Sequence, residues 1–246
     1  MSVFLCNLLA PRVLLERQVK AKVPLNSFFQ SYSKVNRILV RQSMKYDTPI
    51  YLRISNVYKS KFSGIVRENK QLRSEEMAKV ATLITNMFED VEYTGPAQAL
   101  NDAGHEVFAI EKEAGKEVTG KNGEATVKID YGVDEVKPEE FDALFIPGGF
   151  SPDILRADDR FVQFAKYFMD EKKPVFAICH GPQLLITAKT LDGRDATGYK
   201  SIKVDLENAG VKFHDEEVFV CQNQLVTSRT PDDIPAFNRE IVKLLG

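Results

Sequence analysis

Four short runs, residues 79–85, 105–110, 141–146 and 174–178, are almost wholly apolar and carry many β-branched and aromatic side chains. A strand with one wet face alternates polar and apolar residues, whereas a strand without alternation needs cover on both faces. The cover is visible in the same stretch of chain. Residues 91–103 read as a helix closed by Gly104. Residues 158–171 read as an amphipathic helix with Phe161, Phe164, Ala165 and Phe168 on one face. A further helix is expected near 201–209, a hairpin across Gln222-Asn223, and a last helix opened by Thr230-Pro231-Asp232-Asp233. Strands alternating with helices predict an α/β domain with a doubly wound, mostly parallel sheet. Sites in that architecture gather beyond the carboxyl ends of the strands. Three strand ends are chemically unusual, at residues 86–90, 147–153 and 179–182, and they should converge on one crevice.

Charge divides the 246-residue chain in two. Residues 1–76 hold 14 basic and 5 acidic side chains; residues 77–246 hold 19 basic and 30 acidic. The first 76 residues show no period, no repeat and no catalytic constellation, and Gly64 is their one glycine. A transit peptide, a basic interaction arm and a translated upstream sequence all fit this segment. The last is favoured, because Met77-Ala78-Lys79 leads straight into the first apolar run. Residues 73–76 are also compatible with an encoded ribosome-binding sequence. The expected organisation is a basic extension over 1–76, non-native or disordered, and an enzyme domain over 77–246.

The cysteines Cys6, Cys179 and Cys221 form neither a disulfide framework nor a Cys-x-x-Cys zinc pattern. With three histidines in all, a metal is not expected, and the thiols suit a reducing cytoplasm. No apolar run approaches the ~20 residues needed to span a bilayer. The net charge of −2 gives no reason to expect sequence-specific nucleic-acid binding.

Ala177-Ile178-Cys179-His180-Gly181 carries the chemistry. It reads as a sharp strand-to-helix turn with a nucleophile at the apex, flanked by small residues. Such a turn lifts the sulfur out of the sheet and sets it near a helix N-terminus, which favours thiolate. The N–H of His180 is positioned to bind an oxyanion, and Gly148-Gly149 at a neighbouring strand end could complete that hole. His180 could pair with Cys179 or face solvent. In Phe88-Glu89-Asp90 a carboxylate could exchange a proton with the nucleophile, or an acid could simply cap the next helix. His105 is expected at a surface strand end. His214-Asp215-Glu216 has a His-x-Glu form but precedes a hairpin strand, and carries little weight as part of a triad.

Residues 77–246 resemble the PfpI family, within the class I glutamine-amidotransferase-like superfamily. The resemblance rests on Thr85-Asn86-Met87-Phe88-Glu89-Asp90-Val91-Glu92, Pro147-Gly148-Gly149, Ala177-Ile178-Cys179-His180-Gly181-Pro182-Gln183 and Thr227-Ser228-Arg229-Thr230-Pro231-Asp232-Asp233. Bacterial general stress proteins are among the members it looks like. The resemblance implies a flavodoxin-like sheet with a nucleophile elbow, Cys179 as nucleophile and His180 as its partner. It implies Glu89 as the buried acid on the sulfur, and the N–H groups of Gly149 and His180 as the oxyanion hole. It also implies a third triad carboxylate contributed by a neighbouring subunit, here Asp153, and hence a homodimer or larger assembly. The implied activity is that of a cysteine-dependent stress enzyme acting on reactive dicarbonyls or their protein and nucleotide adducts, of glyoxalase or deglycase type, without a cofactor. An intracellular cysteine peptidase and a redox-sensing stress chaperone are the alternatives. A chain beginning at Met77 is expected to be soluble and fully active; an insoluble or inert truncation, in expression and activity assays, would overturn the reading of residues 1–76.

Overall fold

The computed structural model describes residues 77–246. The expectation about residues 1–76 lies outside the described residues.

Seven strands form the main sheet: β1 (Lys79–Leu83), β2 (Glu106–Glu111), β5 (Tyr131–Gly132), β6 (Ala143–Ile146), β7 (Val175–Ile178), β10 (Val218–Cys221) and β11 (Leu225–Ser228). Their order is β10-β11-β7-β6-β1-β2-β5. All pairings are parallel except β10 with β11. This is the doubly wound, mostly parallel sheet that the apolar runs require. Among the described residues, four short strands lie outside it. They are the antiparallel pair β3 (Glu117–Thr119) and β4 (Thr126–Lys128), and the parallel pair β8 (Asp195–Ala196) and β9 (Lys212–Phe213).

Burial explains why the central strands lack alternation. Successive residues of β6 and β7 point to opposite faces, and both faces are core. Leu144, Ile146, Val175 and Ala177 pack into one cluster, with Phe161, Phe164 and Phe168 of α3 (Asp159–Asp170) and Leu184 and Leu185 of α4 (Pro182–Thr187). Ala143, Phe145, Phe176 and Ile178 pack into the other. There they meet Leu100 of α1 (Asp90–Asp102) and Phe237 and Ile241 of α6 (Ile234–Leu245). Each large side chain buried in this way contributes about 2 kcal/mol. A polar residue at any of these strand positions would face one core or the other.

The β10–β11 turn is the one expected, with Gln222 and Asn223 both at positive φ (55° and 51°). Three details differ from expectation. The helix near 201–209 is shorter, α5 at Lys203–Asn208, and follows a 3-10 turn over Lys200–Ile202. The last helix proper starts at Ile234, because a 3-10 turn occupies Pro231–Asp233. His105 is buried at the start of β2, its Nδ1 accepting from the Ala78 N–H at 3.2 Å. It is a core residue at the amino end of the sheet, so the surface position expected for it is corrected. Burial also pushes its pKa down, toward the neutral imidazole.

The strand order reverses between β1 and β6, and the chain knits the two strand ends together there. Phe88 and Gly149 form an isolated antiparallel bridge. The Phe150 N–H donates to the Met87 carbonyl at 2.8 Å, and the Thr85 N–H to Ser151 Oγ at 2.9 Å. Ser151 opens α2 (Ser151–Leu155). Gly149 has φ of 76°, and a Cβ there would lie 2.5 Å from the Glu89 nitrogen and 2.7 Å from the Phe88 carbonyl carbon. Both obstacles are backbone. Gly149→Ala is therefore expected to destabilise the fold by about 2 kcal/mol or more, read as a lower urea midpoint; an unchanged midpoint would mean that the bridge is not a constraint.

Candidate active site

Cys179 follows β7 and stands at φ of 60°, a conformation that costs an L residue about 1–2 kcal/mol. Backbone bonds hold it. The Cys179 N–H donates to the Ser228 carbonyl at 2.9 Å, and the Cys179 carbonyl accepts from the Tyr199 N–H at 2.9 Å. The Gly181 N–H closes the turn onto the Ile178 carbonyl at 2.8 Å. The elbow thus aims the sulfur past the sheet end while leaving it 7% exposed. The N–H groups of Gly149 and His180, from which an oxyanion hole is expected, pull the thiol pKa down against burial.

His180 lies against the nucleophile, with Nδ1 3.2 Å from Sγ. Its other nitrogen, Nε2, is 3.1 Å from Ser201 Oγ, and its ring packs on Tyr199 with centroids 5.0 Å apart. Burial, then the positive charge of Lys121, lower its pKa, so the ring is neutral at neutral pH. A neutral ring that accepts the thiol proton at Nδ1 carries its own proton on Nε2, where Ser201 Oγ accepts it.

The acid on the sulfur is Glu92, which corrects the expectation for Glu89. Glu89 precedes α1 as its N-cap residue, and its hydrogen-bond and ion-pair partners lie on the β3–β4 hairpin tip, not at Cys179. It forms an ion pair with Lys121, and its Oε1 accepts from Asn122 Nδ2 at 3.4 Å. Glu92, one turn further on, is fully buried. A Cβ on Gly148 would collide with the Glu92 carboxylate and would lie 2.6 Å from Cys179 Cβ. The three residues therefore meet at one point, and only glycine leaves room for the acid beside the sulfur. Neither Glu92 oxygen has a well-formed hydrogen bond among the described residues. The carboxyl and the thiol nevertheless act on each other strongly. Burial first, and then the charge of Glu89, push the Glu92 pKa up to about 8. Burial, and then Glu92, push the Cys179 thiol up as well. Two acids this close cannot both ionise cheaply, so they titrate as a pair. The thiolate expected from a helix N-terminus alone is opposed here by burial. At neutral pH Glu92 keeps its proton and can offer it to the sulfur.

The sequence did hold a sign of Glu92. Its buried neighbours on α1 are Pro96, Ala97 and Leu100, so positions 92, 96 and 100 form one inward stripe. A glutamate on the apolar stripe of a helix that starts at a suspected site is a candidate acid. Asp153 is not drawn into the site within one chain. It lies on α2 with its side chain 59% exposed, 3.8 Å from the Arg156 guanidinium. Its charge raises the His180 pKa slightly, but the histidine's free nitrogen faces Ser201. His214 belongs elsewhere: Nε2 meets Asp195 Oδ1 at 2.8 Å and the ring stacks on Phe219. Cys221 is buried at the end of β10. Cys6 lies outside the described residues. Among the described residues, no three or more His, Cys, Asp or Glu side chains cluster as a metal site would require.

A model of the DJ-1/PfpI family matches residues 78–244. The chain belongs to the DJ-1/PfpI family. General stress protein 18 of Bacillus subtilis is 68% identical over 167 residues, which are 68% of this chain and 97% of that protein. Protein/nucleic acid deglycase 2 of Escherichia coli is 61% identical over 168 residues, 68% of this chain and 98% of that one. Among solved structures, a two-domain protein of Anabaena variabilis with DJ-1/ThiJ/PfpI-like and ferritin-like domains is 39% identical, with a TM-score of 0.67. The match covers 69% of this chain and 48% of that one. All three matches leave about a third of this chain uncovered.

The Glu92 geometry has a thermodynamic consequence with a definite sign. In the unfolded chain the carboxyl releases its proton near 4.5; in the fold it holds it to about 8. Below 4.5 both states are protonated. Between 4.5 and 8 only the unfolded chain ionises, so the native state loses stability as pH rises. Glu92→Gln removes this loss. Its stability relative to wild type is expected to grow by about 3 kcal/mol between pH 4.5 and 7, measured by urea unfolding. A pH-independent difference would overturn the assignment of Glu92 as a carboxyl kept protonated by burial.

Proposed function

We propose that this protein is a cysteine-dependent stress-response enzyme that acts on reactive dicarbonyls or on their protein and nucleotide adducts. The observation that carries the reading is the arrangement at Cys179. A strained elbow thiol faces a protonated buried acid and a neutral histidine, with two backbone N–H groups on the sulfur. The likeness to a deglycase and to a general stress protein supports the same class.

The chemistry follows from those groups. The thiol proton passes to His180 Nδ1, and the sulfur attacks the aldehyde carbon. A C–S bond forms, and the carbonyl π pair moves to oxygen, where the Gly149 and His180 N–H groups receive the charge. With methylglyoxal, Glu92 or His180 moves a proton between the adjacent carbons. The aldehyde carbon is thereby oxidised and the ketone carbon reduced, with no external electron acceptor. Water then cleaves the resulting thioester, giving lactate and the free thiol. With a glycated amine, the hemiaminal C–N bond breaks first and the amine leaves with a proton. Each step draws on the side chains described, and no organic cofactor enters. A nucleophile only 7% exposed beside one buried acid suits a small aldehyde. The free thiols Cys179 and Cys221 support a reducing compartment, and the cytoplasm is the location we propose.

Self-association is part of the proposal. Met87 and Phe150 at the strand-end loops and Ile154 on α2 are 44%, 65% and 46% exposed, and Asp153 lies between the last two in sequence. We propose that a second copy covers this surface and that Asp153 acts across the junction. Phe150→Glu is expected to lower the sedimentation mass toward the monomer; an unaltered mass, or a wild type already monomeric, would overturn this part.

The enzymatic reading is tested by comparing wild type with Cys179→Ala on methylglyoxal, on a glycated peptide and on unfolded casein. Lactate release or deglycation lost in the variant, by a factor of at least about 10³, supports it. Casein cleavage alone, dependent on Cys179, would replace it with a peptidase. Cysteine-independent protection of clients from aggregation, without turnover, would replace it with a chaperone.

A further inference from the structure

The segment that grips the nucleophile elbow also reaches the histidine. Residues 197–202 follow β8 and lead into α5. The Thr197 N–H donates to Thr227 Oγ1 at 2.9 Å, and the Tyr199 N–H donates to the Cys179 carbonyl at 2.9 Å. A Cβ on Gly198 would lie 3.3 Å from that same carbonyl oxygen, so a glycine lets the two backbones approach. The Ile202 N–H closes a 3-10 turn onto the Tyr199 carbonyl at 3.0 Å, and Ile202 is buried in the core with Leu206. The turn is therefore anchored at both ends. It presents two side chains to His180. The Tyr199 ring packs against the imidazole, and Ser201 Oγ lies 3.1 Å from Nε2. The other ring nitrogen, Nδ1, is the one 3.2 Å from the sulfur.

We propose that Ser201 is a positioning residue that holds His180 as a neutral base, in the place where a Cys–His–acid triad would set its carboxylate. The path of the proton calls for a hydroxyl there. A ring that takes the thiol proton on Nδ1 carries its own proton on Nε2. That N–H needs an acceptor in the neutral ring and in the imidazolium alike. A hydroxyl oxygen accepts in both states and brings no charge. A carboxylate in its place would favour the imidazolium and fill Nδ1 with a proton at neutral pH. The ring could then no longer take the proton from sulfur, and burial keeps that thiol protonated. Other groups also face the ring. Cys179 is its second hydrogen-bond partner, Lys121 of the β3–β4 hairpin and Asp153 of α2 act on it by charge, and Lys200 adjoins Ser201 in the turn. Among the described residues, Ser201 is the hydrogen-bond partner of Nε2. Asp153 of a second copy therefore acts on the ring by charge and not as its hydrogen-bond partner.

This inference rests on His180 serving Cys179 in the proposed function, and part of its test needs no substrate. NMR of protein carrying isotopically labelled histidine reads the protonation of each ring. The His180 signals are those lost in His180→Gln, and His105 and His214 report on the rest of the fold. Above its titration midpoint, the wild-type His180 ring is expected to carry its proton on Nε2. Ser201→Asp is expected to raise the His180 midpoint by about one pH unit or more, while His105 and His214 keep theirs. Ser201→Ala is expected to lower kcat on methylglyoxal about tenfold at unchanged KM, the size of one hydrogen bond. Ser201→Thr, which keeps the hydroxyl, is expected to restore it. Ser201 is exposed on its 3-10 turn, so these variants are expected to fold. A wild-type proton on Nδ1, a Ser201→Asp midpoint equal to wild type within error, an unchanged kcat in Ser201→Ala, or a loss that Thr does not restore would each overturn the proposal. A wild type that leaves methylglyoxal and glycated peptide untouched, with both NMR results as expected, would defeat the proposed substrate class and leave this inference standing.

Discussion

Cys179 can keep φ of 60° only because the end of β11 and the Tyr199 N–H both grip its backbone. Everything else at the site depends on that grip. The residue before it closes a strand buried on both faces, so the elbow cannot relax by sliding the strand. The residue after it supplies both an N–H and an imidazole to the same sulfur. A relaxed turn would swing the sulfur from the Gly149 N–H and from Glu92 together. Strain of about 1–2 kcal/mol at one residue is small beside the two cores that hold β7, each large buried side chain contributing a similar amount. The sheet absorbs the strain, and the geometry it preserves is reactive.

Much of this was legible beforehand for a simple reason. Apolar runs without alternation have few uses other than a covered parallel sheet, and the alternation with helices left one topology class. The Gln222-Asn223 turn was equally readable, because consecutive positive-φ residues are what a two-residue hairpin needs. The elbow was readable because small residues flank a cysteine at a strand end. The failures share a different cause. Glu89 and Glu92 lie three residues apart where α1 begins, and apart from the stripe of positions 92, 96 and 100 nothing around them tells which one turns inward. That depends on the rotation of α1 about its axis, set by Pro96, Ala97 and Leu100 packing below. His105 looked like a polar strand end because sequence does not report that the Ala78 N–H needs an acceptor there. Lys121 and Ser201 reach the site from loops whose path only the fold defines.

The acids of α1 illustrate how one turn of helix separates roles. Glu89 at the N-cap sees the hairpin and partial solvent, and pairs with a cation. Asp90 faces the hairpin tip and spends its oxygens on three N–H groups, which lower its pKa against a desolvation that works the other way. Glu92 faces the sulfur and has no cation in contact among the described residues, so burial governs it. Identical carboxyl chemistry yields an ion pair, a loop anchor and a protonated acid within four residues. The difference lies in which groups are within hydrogen-bond reach.

That separation bears on why the site tolerates a carboxyl with a pKa near 8 at all. A buried acid that stays protonated adds no net charge to the crevice, but it opposes folding above pH 4.5 for as long as the unfolded chain can ionise it. Replacing it by an apolar residue would stabilise the domain and remove the proton donor beside the sulfur. Placing Lys121 in direct contact with it would lower its pKa and leave a carboxylate beside the thiol, which would oppose thiolate formation. Lys121 instead contacts Glu89, from the tip of a hairpin that Asp90 anchors, and the proton stays on Glu92 at neutral pH. The chemistry of the cysteine is therefore a property of how the three acids at the start of α1 are spaced as much as of the elbow that bears the sulfur.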